Sequence, residues 1–187
     1  PDLPQWTLGQ TVQPSTMASL MTDEYRQRWA QEMYHAANAG VIFWPSQFCW
    51  PDGFMRRFQG PAVNTHTVIM SHDAMMLLTG VAANFLQQVF FDREFNMEGV
   101  VPRLGQDVPR WYGETVGFWD DETLITWTSN IQGWISHGVF EFSNQMQTVE
   151  ILSPRYDAAG ASIGLRNEVI FYDPEARVEP GRMIDDL

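Results

Sequence analysis

The stretch GETVGFWDDETLITWT, residues 113–128, places three acids side by side: Asp120, Asp121 and Glu122. Adjacent carboxylates could hold a hard cation or share a proton. Calcium, however, takes about six to eight oxygen ligands, more than a short turn offers. The flanking residues read as two strands, so the acids fall at a hairpin tip. There Asp bonds turn backbone, and water leaves nothing to raise a carboxyl pKa. The cluster is read as a solvated turn.

Paired carboxylates facing one cleft would suit glycoside hydrolysis. Glu141 and Glu150 fall in one apparent strand, VFEFSNQMQTVEIL, at odd spacing, which points them to opposite faces. Glu94, Glu98, Glu114 and Glu168 would pair with them only through the fold. His66 and His72 read as one strand and share a face, but at about 3.3 Å per residue they lie roughly 20 Å apart, too far to share one ion. His35 and His137 have no ligand at metal-site spacing. No metal is expected, because no His, Cys, Asp or Glu cluster has ligand spacing, and no cofactor, because no Gly-rich phosphate loop opens a helix; no Gly-x-Ser-x-Gly elbow offers a nucleophilic serine. The lone Cys49, between Phe48 and Trp50, reads as a small buried hydrophobe. The acid–base candidates are Glu150, Tyr112 and His137.

The chain must position these groups with one domain of 187 residues that is 44% hydrophobic. Its net charge is −12, and all 11 basic residues are arginine. Such a surface repels phosphate backbones and anionic lipid, so no nucleic acid is expected. No apolar run is long enough to span a membrane. The sequence starts Pro1-Asp2 without Met, which suggests an exported protein, periplasmic or extracellular, that has lost its leader.

Residues 1–14 read as an extended Pro-rich arm in which Trp6 and Leu8 could dock. Residues 15–39 read as a helix capped by Ser15, Thr16 or Thr22, with Tyr25, Trp29, Met33 and Ala36 on one face and Gly40 as the C′ residue. Residues 41–65 read as a Pro- and Gly-punctuated loop. From His66 the period becomes two: THTVIMSH, AMMLLTG, ANFLQQVFFD, the opening hairpin, VFEFSNQMQTVEIL and ASIGLRNEVIFYD. The fold class is mainly β, an antiparallel meander closed as a barrel or folded as a sandwich, with one N-terminal helix. The domain spans 15–177, and 178–187 reads as an irregular tail.

MTDEYRQRWAQEMYHAANAG, Cys49-x-Pro51-x-Gly53, FFDREF, Gly113-x-Thr115-x-Gly117-x-Trp119 with Thr123-Leu124, Glu150 and Asp173-Pro174 occur in an order that resembles a family of small exported bacterial β proteins of unknown function. The resemblance runs from about Met21 to Arg177. It implies a leader and an antiparallel β fold with one helix, and it brings no reaction. Relatives carry arginines where this chain has Gln87 and Gln88, an acid at Trp127 and a His at Gln147. Of their His-rich segment, SHGVFEFSN keeps His137. The resemblance therefore implies that a polar site of the family is altered here.

These readings lead to three functional expectations. The first is a non-catalytic subunit or accessory factor that holds a protein partner or a second copy. The second is a β-barrel for a small apolar ligand, with a cofactor-free lyase or isomerase as one form. In it Trp119, Trp127, Gln87 and Gln147 contact the ligand, and Trp134, Met70, Met75 and Met76 line the cavity. The third is a carbohydrate-active sandwich.

Overall fold

The computed structural model describes residues 5–6, 19–40, 49–51, 53–55, 66–79, 85–95, 109–136 and 140–186. They hold the helix α1 (Asp23–Ala39) and the strands β1 (Gln5–Trp6), β2 (His66–Met70), β3 (Ala74–Thr79), β4 (Phe85–Phe90), β5 (Glu114–Asp120), β6 (Thr123–Ser129), β7 (Trp134–Ser136), β8 (Phe140–Phe142), β9 (Gln147–Tyr156), β10 (Ser162–Tyr172) and β11 (Gly181–Asp186). Nine strands form one sheet in the order β1-β11-β10-β9-β6-β5-β4-β3-β2, and β7 pairs with β8 alone. The sheet curls into a half-barrel, so the chain is mainly β with an N-terminal helix, as its alternating pattern indicates.

Adjacent strands are antiparallel except at two joints: β1 runs parallel to β11, and β4 runs parallel to β5. The hairpin β5–β6 follows its sequence reading. Asp120 pairs with Thr123 across the tip, and Asp121 takes the left-handed backbone (φ 51°) that such a turn needs. Asp120, Asp121 and Glu122 are exposed. Gly113 enters the hairpin at φ 65°, and a Cβ there would lie 2.6 Å from the Ser129 carbonyl. Gly117 is extended, but a Cβ would meet Val89 Cγ1 at 2.8 Å, so the β4–β5 joint closes only around hydrogen.

Four expectations are corrected. The segment VFEFSNQMQTVEIL is two strands, because Ser143–Met146 turns the chain between β8 and β9. The tail is not irregular: Gly181–Asp186 pairs along β10. His72 has left the strand and sits exposed in the β2–β3 turn beside Asp73, so His66 and His72 share no strand face. Cys49 is exposed, in a left-handed backbone conformation (φ 58°), and is not a core residue.

Helix α1 starts at Asp23, with Thr22 before it in extended conformation. Thr22 does not cap the helix through its side chain. Its hydroxyl donates to the Glu175 carbonyl instead (2.8 Å). The helix start is clamped by the loop after β10, through Thr22 N–H to Ala176 O and Val178 N–H to Leu20 O. Met21, Tyr25 and Ala176 form a small apolar cluster there, with Trp29 packed on it. Gly40 ends the helix in the left-handed region. Ser15, Thr16, Ala36 and Leu8 lie outside the residues described in side-chain detail.

Candidate functional site

Strand alternation and the pairing registers place one set of residues on the concave face of the curl. At one end lie Phe85, Phe171 and Met146, packed with Phe54 and Met55. At the other lie Met75, Val89 and Leu124, with Leu152 against them. Between these apolar layers runs a polar belt: Gln87 from β4, Thr115 from β5, Thr126 and Thr128 from β6, Thr148 and Glu150 from β9, and Asn167 from β10. All seven are buried, and Glu150 is only 1% exposed.

The belt is internally bonded. Gln87 Nε2 donates to Glu150 Oε1 (3.1 Å) and reaches Thr115 Oγ1 (3.3 Å) and Thr128 Oγ1 (3.4 Å). Asn167 Nδ2 donates to Glu150 Oε2 at 3.2 Å. The Thr115 and Thr128 hydroxyls bond each other at 2.8 Å. Three atoms of the belt find no hydrogen bond in the protein: Thr126 Oγ1, Thr148 Oγ1 and Asn167 Oδ1. Thr126 stands directly across from Glu150 in the β6–β9 register, and Thr148 is two residues before it. A carboxylate, amides and hydroxyls thus share one buried layer, where each polar contact is stronger than in water.

The positions singled out from sequence separate. Glu150 and Gln87 meet in the belt. Trp127 is fully buried on the opposite face of β6 and donates Nε1–H to Gln147 Oε1 (3.0 Å), so these two face each other away from Glu150. Gln147 also lines a surface cleft with Tyr172 and Arg177. Trp119 is 49% exposed near the hairpin tip, its ring 6.3 Å from that of Phe91. Tyr112 sits at the apolar end against Phe85 (4.5 Å between ring centres), and His137 falls outside the described residues. The idea of one cavity lined by Met70, Met75 and Met76 is corrected: Met75 is buried, whereas Met70 and Met76 are exposed. Glu141 and Glu150 lie on different strands, and Glu150 is the one carboxylate among the described residues of the belt.

The remaining buried charges anchor the fold. Asp173 accepts from Ser143 N–H (2.7 Å), Ser143 Oγ–H (2.6 Å) and Ala176 N–H (3.1 Å), tying the β8–β9 turn to the loop that clamps α1. Beside it Arg177 donates to the Glu141 carbonyl at 3.0 Å. Glu141 Oε2 is buried without a hydrogen-bond partner, and burial pushes this carboxyl up to about 7. Arg28 and Arg177 pull it down, while Glu32 and Glu24 across the helix push it further up. Among the described residues no group of three or more His, Cys, Asp or Glu could hold a metal ion, and no helix is long and apolar enough to cross a membrane.

Sequence reasoning passed over Thr115, Thr126, Thr128, Thr148 and Asn167. The available signal was β6, where Thr126 and Thr128 alternate with Ile125 and Trp127. A strand apolar on its convex side and hydroxyl-bearing on its concave side has its polar residues facing inward. Comparison with protein-family models, with curated proteins and with solved structures found no match to this chain.

Proposed function

We propose that the protein binds a small amphiphilic molecule in the curl of its half-barrel, with Glu150 accepting a hydrogen bond or a proton from the middle of the ligand. One observation carries this reading: Thr126, Thr148 and Asn167 hold buried, unbonded oxygens around Glu150. Each such atom costs about 1–3 kcal/mol. Three in one layer are accounted for if a ligand uses them. The apolar layers above and below would hold its hydrocarbon ends, so the ligand is not purely apolar as its sequence reading supposed. Proton transfer at Glu150 in a cofactor-free lyase or isomerase is one form of this function. A two-carboxylate glycosidase gains no support, because the belt offers Glu150 alone among its described residues.

The test is small-molecule extraction and mass spectrometry of protein purified from its native host, beside a Glu150→Ala variant. A species retained by the wild type and lost in the variant is expected. If nothing is retained, and no member of a panel of hydroxylated and carbonyl-bearing amphiphiles raises the melting temperature, the reading fails. Fractionation of the same host tests export, which belongs to this proposal.

A second reading, self-association, rests on the far end of the sheet. Ile69, Met76, Leu78 and Leu86 share its outer face and are 52%, 37%, 37% and 46% exposed, and Val68 and Met70 are exposed on the edge strand. From His66 to Phe91 the only acid is Asp73, in a chain of net charge −12. Two copies could therefore pair β2 edges with little charge repulsion. Light scattering should give a dimer that Ile69→Lys dissociates, and a monomer across the micromolar range refutes it.

A further inference from the structure

A second cleft, of about 450 Å³, is lined by Trp50, Pro109, Arg110, Trp111, Gln132 and Trp134. Its size falls in the range of small-ligand sites. Trp134 is the centre of the group, with Trp50 at 5.3 Å and Trp111 at 5.1 Å between ring centres, both edge-on. Edge-to-face packing joins the three rings, and Trp50 remains 47% exposed.

Three separate stretches of chain build this group, and hydrogen bonds hold two of them in place. Arg110 N–H donates to Asn130 O (2.8 Å) and Gln132 N–H donates to Arg110 O (2.7 Å), which locks Trp111 beside the start of β7. Gly133 N–H donates to Asn144 Oδ1 at 2.6 Å and fixes the approach to Trp134. Cys49 precedes Trp50 at φ 58°, and Asn130 supports Arg110 at φ 56°. A left-handed backbone costs about 1–2 kcal/mol at a residue such as Cys49, and less at Asn130, whose short polar side chain tolerates it. Two of the three such residues among those described flank this cleft.

The lining narrows the ligand class. A cationic guest would meet Arg110, which is bridged to Glu114 at 3.3 Å but still lines the cleft. A polyanion would meet a chain of net charge −12. An open cleft rimmed by guanidinium and amide groups does not enclose a purely apolar molecule. A neutral ligand with a flat C–H face and hydroxyls around its edge fits all three conditions. We infer that the Trp50–Trp111–Trp134 cleft binds a neutral saccharide, stacking a pyranose ring on exposed indole while Arg110 and Gln132 meet its hydroxyls.

The full chain would be titrated with cello-, xylo-, malto- and chito-hexaose by calorimetry and tryptophan fluorescence. Saturable binding to at least one is expected. Trp50→Ala and Trp111→Ala should each weaken it about tenfold or more, while Tyr34→Ala on α1, which does not line the cleft, leaves it unchanged. Trp50 is half in solvent, so its replacement should keep the wild-type circular dichroism spectrum and melting temperature. No saturable binding to any of the four, or wild-type affinity in Trp50→Ala, overturns the inference. Because Glu150 takes no part in it, this result and the small-molecule extraction can fail separately.

Discussion

Thr148→Val tests the polar belt directly. The side chain is fully buried and its hydroxyl bonds nothing in the protein. Valine keeps the branched shape, so packing barely changes, and the unmet desolvation of the hydroxyl disappears. That penalty is about 1–3 kcal/mol for a buried group. Allowing for lost weak contacts, the variant should gain roughly 1–2 kcal/mol. In a chain of this length that raises the melting temperature by roughly 2–8 °C. Thr128→Val is the matched control. Its hydroxyl bonds Thr115 at 2.8 Å and lies within reach of Gln87, so its removal should lose about 1 kcal/mol. Urea titrations of ligand-free protein at constant pH measure both. The stabilised Thr148→Val variant should also lose ligand retention, since the group whose burial costs the fold stability is the group the ligand uses. If Thr148→Val is less stable than wild type, or both variants shift in the same direction, the belt is a structural network and the ligand reading loses its support.

Glu141→Gln should change stability with pH. A carboxyl raised from 4.5 to about 7 in the folded state binds its proton more tightly there than when unfolded. The wild type therefore loses stability as pH rises from about 4.5 through 7, by about 2 kcal/mol once partial screening is allowed for. The variant should match wild type at pH 4 and exceed it by that amount at pH 8, in denaturant midpoints at the two pH values. Asp173→Ala removes an acceptor shared by two backbone N–H groups and a hydroxyl, and should cost about 3 kcal/mol in the same assay. Gly113→Ala places a Cβ 2.6 Å from the Ser129 carbonyl at φ 65°, and should lower stability by about 2 kcal/mol or more. A Gly113→Ala melting temperature equal to wild type would contradict that close approach.

The fold was largely legible because alternation and turn residues are local signals. TLITWTS and ASIGLRNEVIFYD each became one strand, and the hairpin tip fell where Asp-Asp-Glu placed it. The failures were of two kinds. Ser143-Asn144 is a turn signal, but it sits inside an alternating run, and the capping carboxylate that fixes it, Asp173, is 30 residues away. Residues 181–186 hold few apolar side chains and are a strand only because β10 offers them an edge. The site was less legible. Glu150 and Gln87 were singled out, but their meeting depends on β6 separating β5 from β9 in the sheet, which no local pattern encodes. The threonines were invisible as a group because each alone is an ordinary strand former. Trp127 and Gln147 were grouped with Gln87, yet lie on the other face.

The β4–β5 joint has a consequence for motion. The two strands pair at only Val89–Thr115 and Phe90–Val116, whereas every other neighbouring pair from β2 to β11 shares at least five residues. This seam divides the sheet into a three-strand ribbon, β2–β4, and a larger body. Gln87 belongs to the ribbon and reaches across the seam to Thr115, Thr128 and Glu150. Amide hydrogen exchange should therefore report two cooperative units, with the β2–β4 ribbon exchanging faster than β6, β9 and β10. When the ribbon detaches it takes Gln87 with it, so the frequency of that opening would set how often the buried carboxylate meets the outside world.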